Sequence, residues 1–260
     1  MRVLFIGDIV AKYGIKTVQQ YLAAHRSDYD FVIANGENCA GGNGITRKHF
    51  KQLRDAGVDV ITLGNHTWDN KDVVELISET THLLRPVNYL PGTPGLGHAS
   101  FSTPEGRITV VSLIGRIFME PYSNPFHVID DVLEPLPATD SVIVDFHAEA
   151  TSEKKAMGYH LRGRVAAVLG THTHVQTADE MIADGTAYLT DVGMTGVQDS
   201  AIGMSYEDVH YRFTKQMPKR LSPAEGPRTL CGVALELTGG RCQNIQRIQW
   251  RADEDGASLA

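Results

Sequence analysis

The feature that most constrains the fold of this chain is a repeated alternation of two kinds of segment. Short runs rich in β-branched residues alternate with segments in which apolar residues recur at helical spacing. This alternation is typical of α/β proteins, in which helices join the strands and cover the sheet. The predicted strands are residues 3–7, 31–34, 60–63, 108–113, 142–146, 165–169, 188–189 and 233–237. The predicted helices are residues 16–24, 47–56 and 72–78.

The domain organisation follows from length and composition. The chain has 260 residues, which exceeds the usual ~100 to 200 residues per domain, but α/β folds of ~250 residues commonly form one domain. The 42% hydrophobic and 21% charged residues are ordinary for a globular protein and exclude disorder. Because no linker or internal repeat divides the chain, we predict one domain over residues 1–260.

Several local signals refine this prediction. Thr46 is a candidate N-cap for the second helix, and Gly57 is a stop signal. Residues 85–107, with a hairpin turn at Glu105-Gly106, and residues 190–204 are predicted to be long loops, which in compact chains are commonly functional. A two-residue turn at Gly239-Gly240 would pair residue 237 with 242 and residue 231 with 248.

The cysteines and the net charge exclude several classes of protein. Cys39, Cys231 and Cys242 are an odd number without C-x-x-C spacing, which argues against a disulfide framework or a zinc knuckle. The net charge of −7 gives no generic attraction to nucleic acid. There is no apolar stretch of the ~18 residues that a membrane span needs, and the apolar run at residues 3–6 is too short for a signal peptide. We therefore predict a cytoplasmic protein without a membrane partner.

Five of the predicted strands end in residues that can bind metal ions. Since ligands bind at the carboxyl ends of strands in open α/β sheets, these residues are expected to meet at one edge. In extended backbone, residues i and i+2 project to the same side, so His172 and His174 could share an ion. The strand-end residues are Asp8, Glu37, Asn38, Asn65, His66, His147, His172 and His174.

The chemistry of these donors limits the ion and the reaction. Oxygen and imidazole ligands without a thiolate suit Mn²⁺, Fe²⁺ or Zn²⁺. Seven ligands from these eight residues would be too many for one tetrahedral ion, whereas two ions ~3.5 to 4 Å apart would use them to activate water and clamp phosphoryl oxygens. Two divalent ions against only two anionic ligands leave a positive site, which attracts an anionic phosphate ester.

Four sequence motifs resemble those of a known family. The chain is similar to the calcineurin-like metallophosphoesterases in the order and strand context of four features. They are Asp8, the Gly-Asn-His motif, the isolated His147 and the His-x-His motif. More narrowly, the chain resembles the YmdB-type bacterial phosphodiesterases over nearly its whole length. The motifs are Gly36-Glu37-Asn38, Gly64-Asn65-His66-Thr67-Trp68-Asp69, Asp145-Phe146-His147-Ala148-Glu149-Ala150-Thr151-Ser152-Glu153-Lys154 and Gly170-Thr171-His172-Thr173-His174-Val175-Gln176-Thr177-Ala178-Asp179.

The resemblance implies a fold, a reaction and a role for each residue. The fold would be a two-sheet α/β/β/α sandwich, which the alternation of elements alone does not distinguish from one doubly wound sheet. The reaction would be hydrolysis of cyclic nucleotides, including 2',3'-cyclic ones, by attack of a metal-bound hydroxide. His66 would be the general acid and Glu37 would bridge two ions. The other implied ligands are Asp8, Asn38 and His174 for one ion and Asn65, His147 and His172 for the second.

Departures from the wider superfamily concern the ligands and the group beside His66. The usual Asp-x-His opening is Asp8-Ile9-Val10 here, so one histidine is absent, and Asn38 could fill its place. The neutral amide oxygen of Asn38 should shift metal preference away from zinc, which favours Fe or Mn. An acidic residue directly after the Gly-Asn-His motif is replaced by Thr67, so Asp69 is the candidate for orienting His66.

Two other functions compete with the phosphodiesterase. A metal-dependent amidohydrolase also uses a His-x-His pair, but normally on the first strand of a barrel. A regulatory protein could use the same site to bind a nucleotide or RNA with slow or no turnover.

The residues do not determine the substrate, the native metals or the oligomeric state, for which a homo-oligomer is the default. Arg116 could contact phosphate or form a surface ion pair, and Cys39 could be a ligand or a packing residue.

Overall fold

The computed structural model describes residues 1–120, 122–252 and 258–259. Its strands are β1 (Arg2–Ile6), β2 (Asp8–Ile9), β3 (Phe31–Asn35), β4 (Val60–Thr62), β5 (Leu83–Leu84), β6 (His98–Thr103), β7 (Gly106–Ile114), β8 (Ser141–His147), β9 (Ala167–Thr171), β10 (Met181–Ala183), β11 (Thr186–Leu189), β12 (Met194–Val197), β13 (Arg228–Thr238), β14 (Arg241–Ala252) and β15 (Ser258–Leu259). Its helices are α1 (Ala11–His25), α2 (Arg47–Asp55), α3 (Val73–Glu79), α4 (Pro125–Leu133), α5 (Thr151–Leu161) and α6 (Tyr206–Lys215), with a short 3₁₀ helix at Arg26–Asp28.

The strands form two sheets. The first sheet has the order β15-β14-β13-β1-β3-β4-β5, and β12 pairs with β13 and β2 at its side. In this sheet β1, β3, β4 and β5 are parallel. The second sheet has the order β10-β11-β9-β8-β7-β6, with β7, β8, β9 and β11 parallel and antiparallel strands at both edges. Parallel strands thus form the centre of the second sheet and the β5 edge of the first.

Successive residues of β1 show how the layers are held together. Val3 and Phe5 face the second sheet and belong to a buried cluster with Val110 and Ile143 of that sheet. Leu4, on the opposite face of β1, packs in the cluster that covers α1, α2 and α3. A third cluster joins the outer face of the second sheet to α4 and α5. The layers are therefore α/β/β/α, which confirms the predicted sandwich and excludes the single doubly wound sheet.

The start of α2 agrees with its sequence signals. Thr46 has extended dihedral angles, and its side chain accepts a hydrogen bond from the backbone N–H of His49, as an N-cap should. Gly57 has a φ of 102°, in the region that glycine adopts most readily, just beyond the helix end. Both terminal signals are confirmed.

Two of the predicted loops contain strands. β6 lies inside residues 85–107, because Ala99 and Phe101 pack against the inter-sheet core although the preceding segment is rich in proline and glycine. β12 lies inside residues 190–204, where its short backbone pairs with β13 and β2. β12 has only four residues and its partners lie elsewhere in the chain. β6 pairs with the adjacent β7 through the predicted hairpin turn at Glu105-Gly106.

The hairpin of β13 and β14 differs from the predicted register by one residue. Leu237 pairs with Cys242, as a two-residue turn at Gly239-Gly240 requires, but Cys231 pairs with Gln249 rather than with residue 248. An irregularity between Glu236 and Leu237 shifts the register. The conclusion that Cys231 and Cys242 do not face each other is confirmed, and both thiols are free and buried.

In the described part of the chain, no helix is long and apolar enough to cross a membrane.

Candidate metal centre

The predicted ligands converge because the parallel strands of both sheets end at the same side of the sandwich. The first sheet contributes Asp8 after β1 and residues from the segments after β3 and β4. The second sheet contributes His147, the last residue of β8, and both histidines after β9. Asp8 and His147 are completely buried, and Glu37 is 1% exposed.

His147 lies at the centre of one group of donors. Its Nε2 is 2.9 Å from Oε1 of Glu37, 2.9 Å from Oδ1 of Asn65 and 3.0 Å from Nδ1 of His172. One donor atom from each of Glu37, His147 and His172 lies within 4.8 Å of the others, a spacing that one metal ion could span. The residues that the sequence predicted separately therefore form a single buried cluster.

The hydrogen bonds around His147 fix which of its nitrogens carries the proton. Oγ1 of Thr171 donates its one proton to Oδ1 of Asp145 over 2.6 Å. The Thr171 hydroxyl must therefore accept a hydrogen bond from Nδ1 of His147, 2.9 Å away. Nε2 therefore faces Glu37 and Asn65, where it carries a second proton in the metal-free cluster and would present its lone pair to a bound metal ion. Oxygens that face a nitrogen lone pair need a proton or a cation between them, and metal-binding histidines are commonly oriented in this way.

The other two histidines are oriented similarly. Nε2 of His172 lies 3.0 Å from Oε2 of Glu149, and its Nδ1 faces His147. Nδ1 of His174 donates to the carbonyl oxygen of Ile202 over 3.1 Å, while its Nε2 lies 3.8 Å from Oδ1 of Asp8. Each imidazole thus has one nitrogen held by an oxygen acceptor and the other turned towards the cluster.

Two carboxylate oxygens in the cluster are buried without a hydrogen bond to any described residue. They are Oδ1 of Asp8 and Oε1 of Glu37. Oε1 of Glu37 has only its ion-pair contact with Nε2 of His147, 2.9 Å away. A buried carboxylate oxygen that accepts no hydrogen bond is costly, and a metal ion would remove that cost. Asn38 completes this side of the cluster, with its amide nitrogen 3.2 Å from Nε2 of His174. The donor set and the two oxygens that accept no hydrogen bond both fit divalent ions.

The pKa values of the cluster show strong coupling between its charges. Burial raises the pKa of Asp8 to about 6. Burial also opposes ionisation of Glu37, but the neighbouring His147 outweighs it and holds the pKa of Glu37 at about 2. Conversely, burial opposes protonation of His147, yet Glu37 and Asp8 raise the pKa of His147 to about 9. Burial, followed by the charge of His147, lowers the pKa of His172 to about 3. The carboxylates hold a positive charge at the centre of the cluster.

The segment directly after β9, which contains His172 and His174, has a strained backbone that buried side chains hold in place. His172 and His174 have φ values of 95° and 66°, so the expectation of an extended His-x-His segment was wrong. Asp191 accepts hydrogen bonds from the backbone N–H and the hydroxyl of Thr173, the residue between them. Nζ of Lys154, which is 1% exposed, lies 2.8 Å from Oδ2 of Asp191. This buried ion pair anchors both histidines in conformations that cost ~1 to 3 kcal/mol each.

His66 lies at the edge of the cluster. Its Nδ1 is 2.8 Å from Oδ2 of Asp69, the contact predicted from the sequence. Its backbone N–H donates to Oε2 of Glu37 over 3.0 Å. Asn43 also contacts Asp69, with its amide nitrogen 3.3 Å from the same carboxylate oxygen. The imidazole is thus attached to the cluster through the backbone and oriented by a carboxylate.

The sequence analysis missed several residues around the site. Asp191 follows β11, so the rule that strand ends carry ligands could have found it. Asp145 interrupts the apolar run of β8, which is a signal for a buried polar role. Arg212 and Phe213 of α6 line a cavity beside the cluster, together with Arg220 from the segment after that helix. They gave no signal because they resemble ordinary surface residues.

Two candidates from the sequence, Arg116 and Cys39, lie outside this cavity lining, as does Tyr89 of the predicted loop at residues 85–107. Arg116 is exposed, and its backbone N–H donates to Glu153. Cys39 is buried beside Asn38, and burial raises the pKa of its thiol, as expected of a packing residue. The ring of Tyr89 makes edge contacts with Trp68 and Tyr122. None of these side chains is among the described residues that line the cavity.

Comparison with known proteins gives the family. The family model described as YmdB-like protein matches residues 4–248. The chain belongs to the YmdB-like family. It is 45% identical over 241 residues to the 2',3'-cyclic-nucleotide 2'-phosphodiesterase of Bacillus subtilis (strain 168), and the match covers 91% of each chain.

Two solved structures from this comparison have the same fold. A protein from Thermus thermophilus is 45% identical with a TM-score of 0.93, over 96% of this chain and 99% of that one. A phosphatase from Mycoplasma pneumoniae is 34% identical with a TM-score of 0.91, over 99% of this chain and 95% of that one. These likenesses confirm the predicted metallophosphoesterase-like fold and the prediction that the chain is a phosphoric ester hydrolase.

Proposed function

We propose that this chain is a dinuclear metal-dependent phosphodiesterase that hydrolyses cyclic nucleotides, including 2',3'-cyclic ones. The observation that carries the proposal is the convergence of three imidazoles, each held by an oxygen acceptor, on a cluster with two buried carboxylate oxygens that accept no hydrogen bond. The name of the Bacillus subtilis relative supports the class of substrate. Retention of the whole donor set favours an enzyme over a regulatory protein that only binds a nucleotide.

The proposed ligands divide into two groups around Glu37. Asp8, Asn38 and His174 would hold one ion, and Asn65, His147 and His172 the other, with Glu37 between them. The oxygen-rich donor set favours Mn or Fe, with Zn as the third candidate. When bound, the two ions would activate water and stabilise the charge on the phosphoryl oxygens.

His66 has a proposed role in moving a proton. With Nδ1 held by Asp69, its Nε2 is the nitrogen left to donate to the leaving alkoxide of the ester. The hydrogen bond from its backbone to Glu37 keeps the ring beside the reacting phosphate rather than among the ligands. His66 also lines the cavity next to the cluster, where a substrate could reach it.

The partners in this proposal are small. A cyclic nucleotide or another small phosphate ester is the substrate, and the net charge of −7 does not indicate nucleic acid. A cytoplasmic location, assembly into a homo-oligomer and a single domain over residues 1–260 stay predictions.

The experiment that tests the proposal combines metal analysis with a substrate screen. Metal-free protein is loaded with Mn²⁺ or Fe²⁺, its metal content is measured by elemental analysis, and turnover of 2',3'-cyclic and 3',5'-cyclic nucleotides and of bis-p-nitrophenyl phosphate is recorded. Two equivalents per chain and turnover of cyclic nucleotides are expected. A reproducible single equivalent at saturation contradicts the dinuclear site, and binding without turnover supports the regulatory alternative.

Glu37→Gln tests the proposed bridge. Because a carboxylate between two cations reduces their repulsion, its replacement should lower both metal content and rate. Glu105→Gln, in the exposed turn between β6 and β7 at the opposite end of the sheet, is the matched control and should change neither. If metal content and activity survive Glu37→Gln, the bridge is assigned to the wrong residue.

A further inference from the structure

A cavity of about 850 Å³ extends from the metal cluster to α6. His66, His172 and His174 line one side of it, and residues of α6 and the following segment line the other. Pockets for drug-sized ligands occupy ~300 to 1,000 Å³, so this cavity has room for much more than a phosphoryl group. The part that lies away from the cluster has no assigned role.

The wall formed by α6 and the segment after it is held together by its own side chains. Ser205 caps α6 by accepting from the backbone N–H of Asp208. Asp208 in turn accepts from the backbone N–H of Ser222 and forms an ion pair of 2.8 Å with Lys219. The loop before α6 is joined to the cluster, because the carbonyl oxygen of Ile202 accepts from His174. This hydrogen bond links the segment before the wall to a proposed metal ligand.

The charge of this wall is positive. Apart from Glu37 in the cluster and the histidines, the charged residues among the described lining of the cavity are Arg212 and Arg220. Nε of Arg212 donates to the carbonyl oxygen of Lys219 over 2.7 Å, which fixes the guanidinium group without neutralising it. Two arginines facing one cavity of an acidic protein form a local site for an anion, and arginine is well suited to phosphate.

The wall also exposes an aromatic ring. Phe213 is 80% exposed, although it lines the cavity beside Arg212. Ile202, which lines the same cavity, is 53% exposed. An exposed phenylalanine next to cations offers a stacking surface for a nucleobase, and such stacking contributes ~1 to 3 kcal/mol per base.

We propose that the α6 wall is a binding subsite for nucleotides that carry a second phosphate, with the base on Phe213 and the additional phosphate on Arg212 and Arg220. The substrate class would then be cyclic nucleotides with a further phosphate, such as 5'-phosphorylated nucleoside 2',3'-cyclic phosphates. This inference rests on the proposed function, since it places the reacting phosphate at the metal cluster.

The test measures equilibrium binding, which does not depend on turnover. Adenosine 3',5'-bisphosphate and adenosine 3'-monophosphate, which differ by one phosphate, are titrated into Mn²⁺-loaded protein by calorimetry. We expect the bisphosphate to bind about 10-fold or more tightly, as a charge-assisted hydrogen bond to one extra phosphate allows. Equal affinities in the wild-type protein overturn the proposal.

Variants of the wall locate the effect. Arg212→Gln and Arg220→Gln should each reduce the advantage of the bisphosphate and leave monophosphate binding nearly unchanged. Lys215→Gln, on the same helix but outside the cavity lining, is the control and should keep the full advantage. Phe213→Leu should weaken both nucleotides but not inorganic phosphate, and Phe213→Tyr should restore their binding.

Three further outcomes separate the possibilities. If bis-p-nitrophenyl phosphate is hydrolysed but both adenosine nucleotides bind with equal affinity, the subsite is wrong and the proposed function stands. If no diester is hydrolysed but the bisphosphate binds tightly through both arginines, the subsite stands and the proposed function fails. If the arginine substitutions instead change the oligomeric state measured by light scattering, the wall is a protein interface and the proposal is wrong.

Discussion

Gly64 lies between two proposed metal ligands and leaves no space for a side chain. A Cβ atom added at this position would overlap the imidazole ring of His147 and a carboxylate oxygen of Glu37. The residue therefore allows the end of β4 to approach the cluster closely, which brings the following Asn65 within 2.9 Å of His147.

Gly64→Ala should consequently displace His147 or Glu37. A misplacement of ~1 Å at a reacting centre can cost ~10²-fold in rate, so we expect a loss of about that size together with reduced metal content. Elemental analysis and hydrolysis of bis-p-nitrophenyl phosphate measure both effects, with circular dichroism as the check on folding. A variant that keeps its metals and its full rate would show that the site tolerates a methyl group.

The role proposed for His66 can be separated from that of a metal ligand by the choice of leaving group. A general acid contributes ~10² to 10⁴ in rate when the leaving group needs a proton, as a ribose alkoxide does, whereas p-nitrophenolate leaves without help. His66→Ala should slow cyclic nucleotide hydrolysis far more than hydrolysis of bis-p-nitrophenyl phosphate, with metal content unchanged.

His147→Ala is the matched comparison for His66→Ala. Because His147 is a proposed ligand, its loss should lower metal content and slow both substrates together. If His66→Ala behaves in the same way, or slows both substrates equally with its metals in place, His66 is not the general acid.

At the scale of elements, the loop after β9 depends on a buried ion pair that touches no proposed ligand. Lys154 comes from α5 and Asp191 from the segment after β11, so the pair connects three elements around Thr173. Removing one partner of a buried pair leaves an uncompensated charge and typically costs ~3 to 5 kcal/mol. The pair is thus expected to support the strained His172-Thr173-His174 backbone.

Lys154→Met should lower the free energy of unfolding of the metal-free protein by ~3 to 5 kcal/mol, because Asp191 is then buried without a counter-charge. Combining it with Asp191→Asn should recover part of that loss. Urea unfolding measures both. The control is Arg162→Met, which breaks a largely exposed pair with Asp184 and should cost less than ~1 kcal/mol. A loss of that small size for Lys154→Met would contradict the role of the buried pair.

At the scale of the whole molecule, the cluster connects the two sheets. Glu37 follows a strand of the first sheet and His147 ends a strand of the second, so ions bound between them would bind the folded chain and not the unfolded one. Binding of this kind stabilises the native state by ~2.7 kcal/mol when the free ligand is at 100 times its Kd.

Removal of metal should therefore lower the thermal midpoint. A stabilisation of this size corresponds to ~5 to 10 °C for a domain of this length, since each kcal/mol shifts Tm by ~2 to 4 °C. Calorimetry with and without EDTA, followed by added Mn²⁺, measures the shift. In His147→Ala the Mn²⁺-dependent increase should be largely lost, and a Tm that is independent of metal in the wild-type protein would contradict ions between the sheets.

Much of the candidate site follows from local sequence signals. Asp8, Asn65 and His147 could be predicted as neighbours because each comes at the end of an apolar run, and the carboxyl ends of parallel strands meet at one edge. The same rule would have added Asp191. The layers of the sandwich were less accessible, since strands buried on both faces look alike in one sheet or two.

The sequence by itself determined the alternation of strands and helices, the donor types and the order in which strand ends deliver them, because each of these depends on residues close together in the chain. Only the tertiary structure decided that Phe213 and Arg212 lie across a cavity from His66. On α6 they have the pattern of an ordinary exposed helix face, and their proximity to the cluster arises from packing between segments about 150 residues apart in the sequence. The positive φ of His172 likewise depends on contacts with distant side chains, which local backbone preferences do not contain.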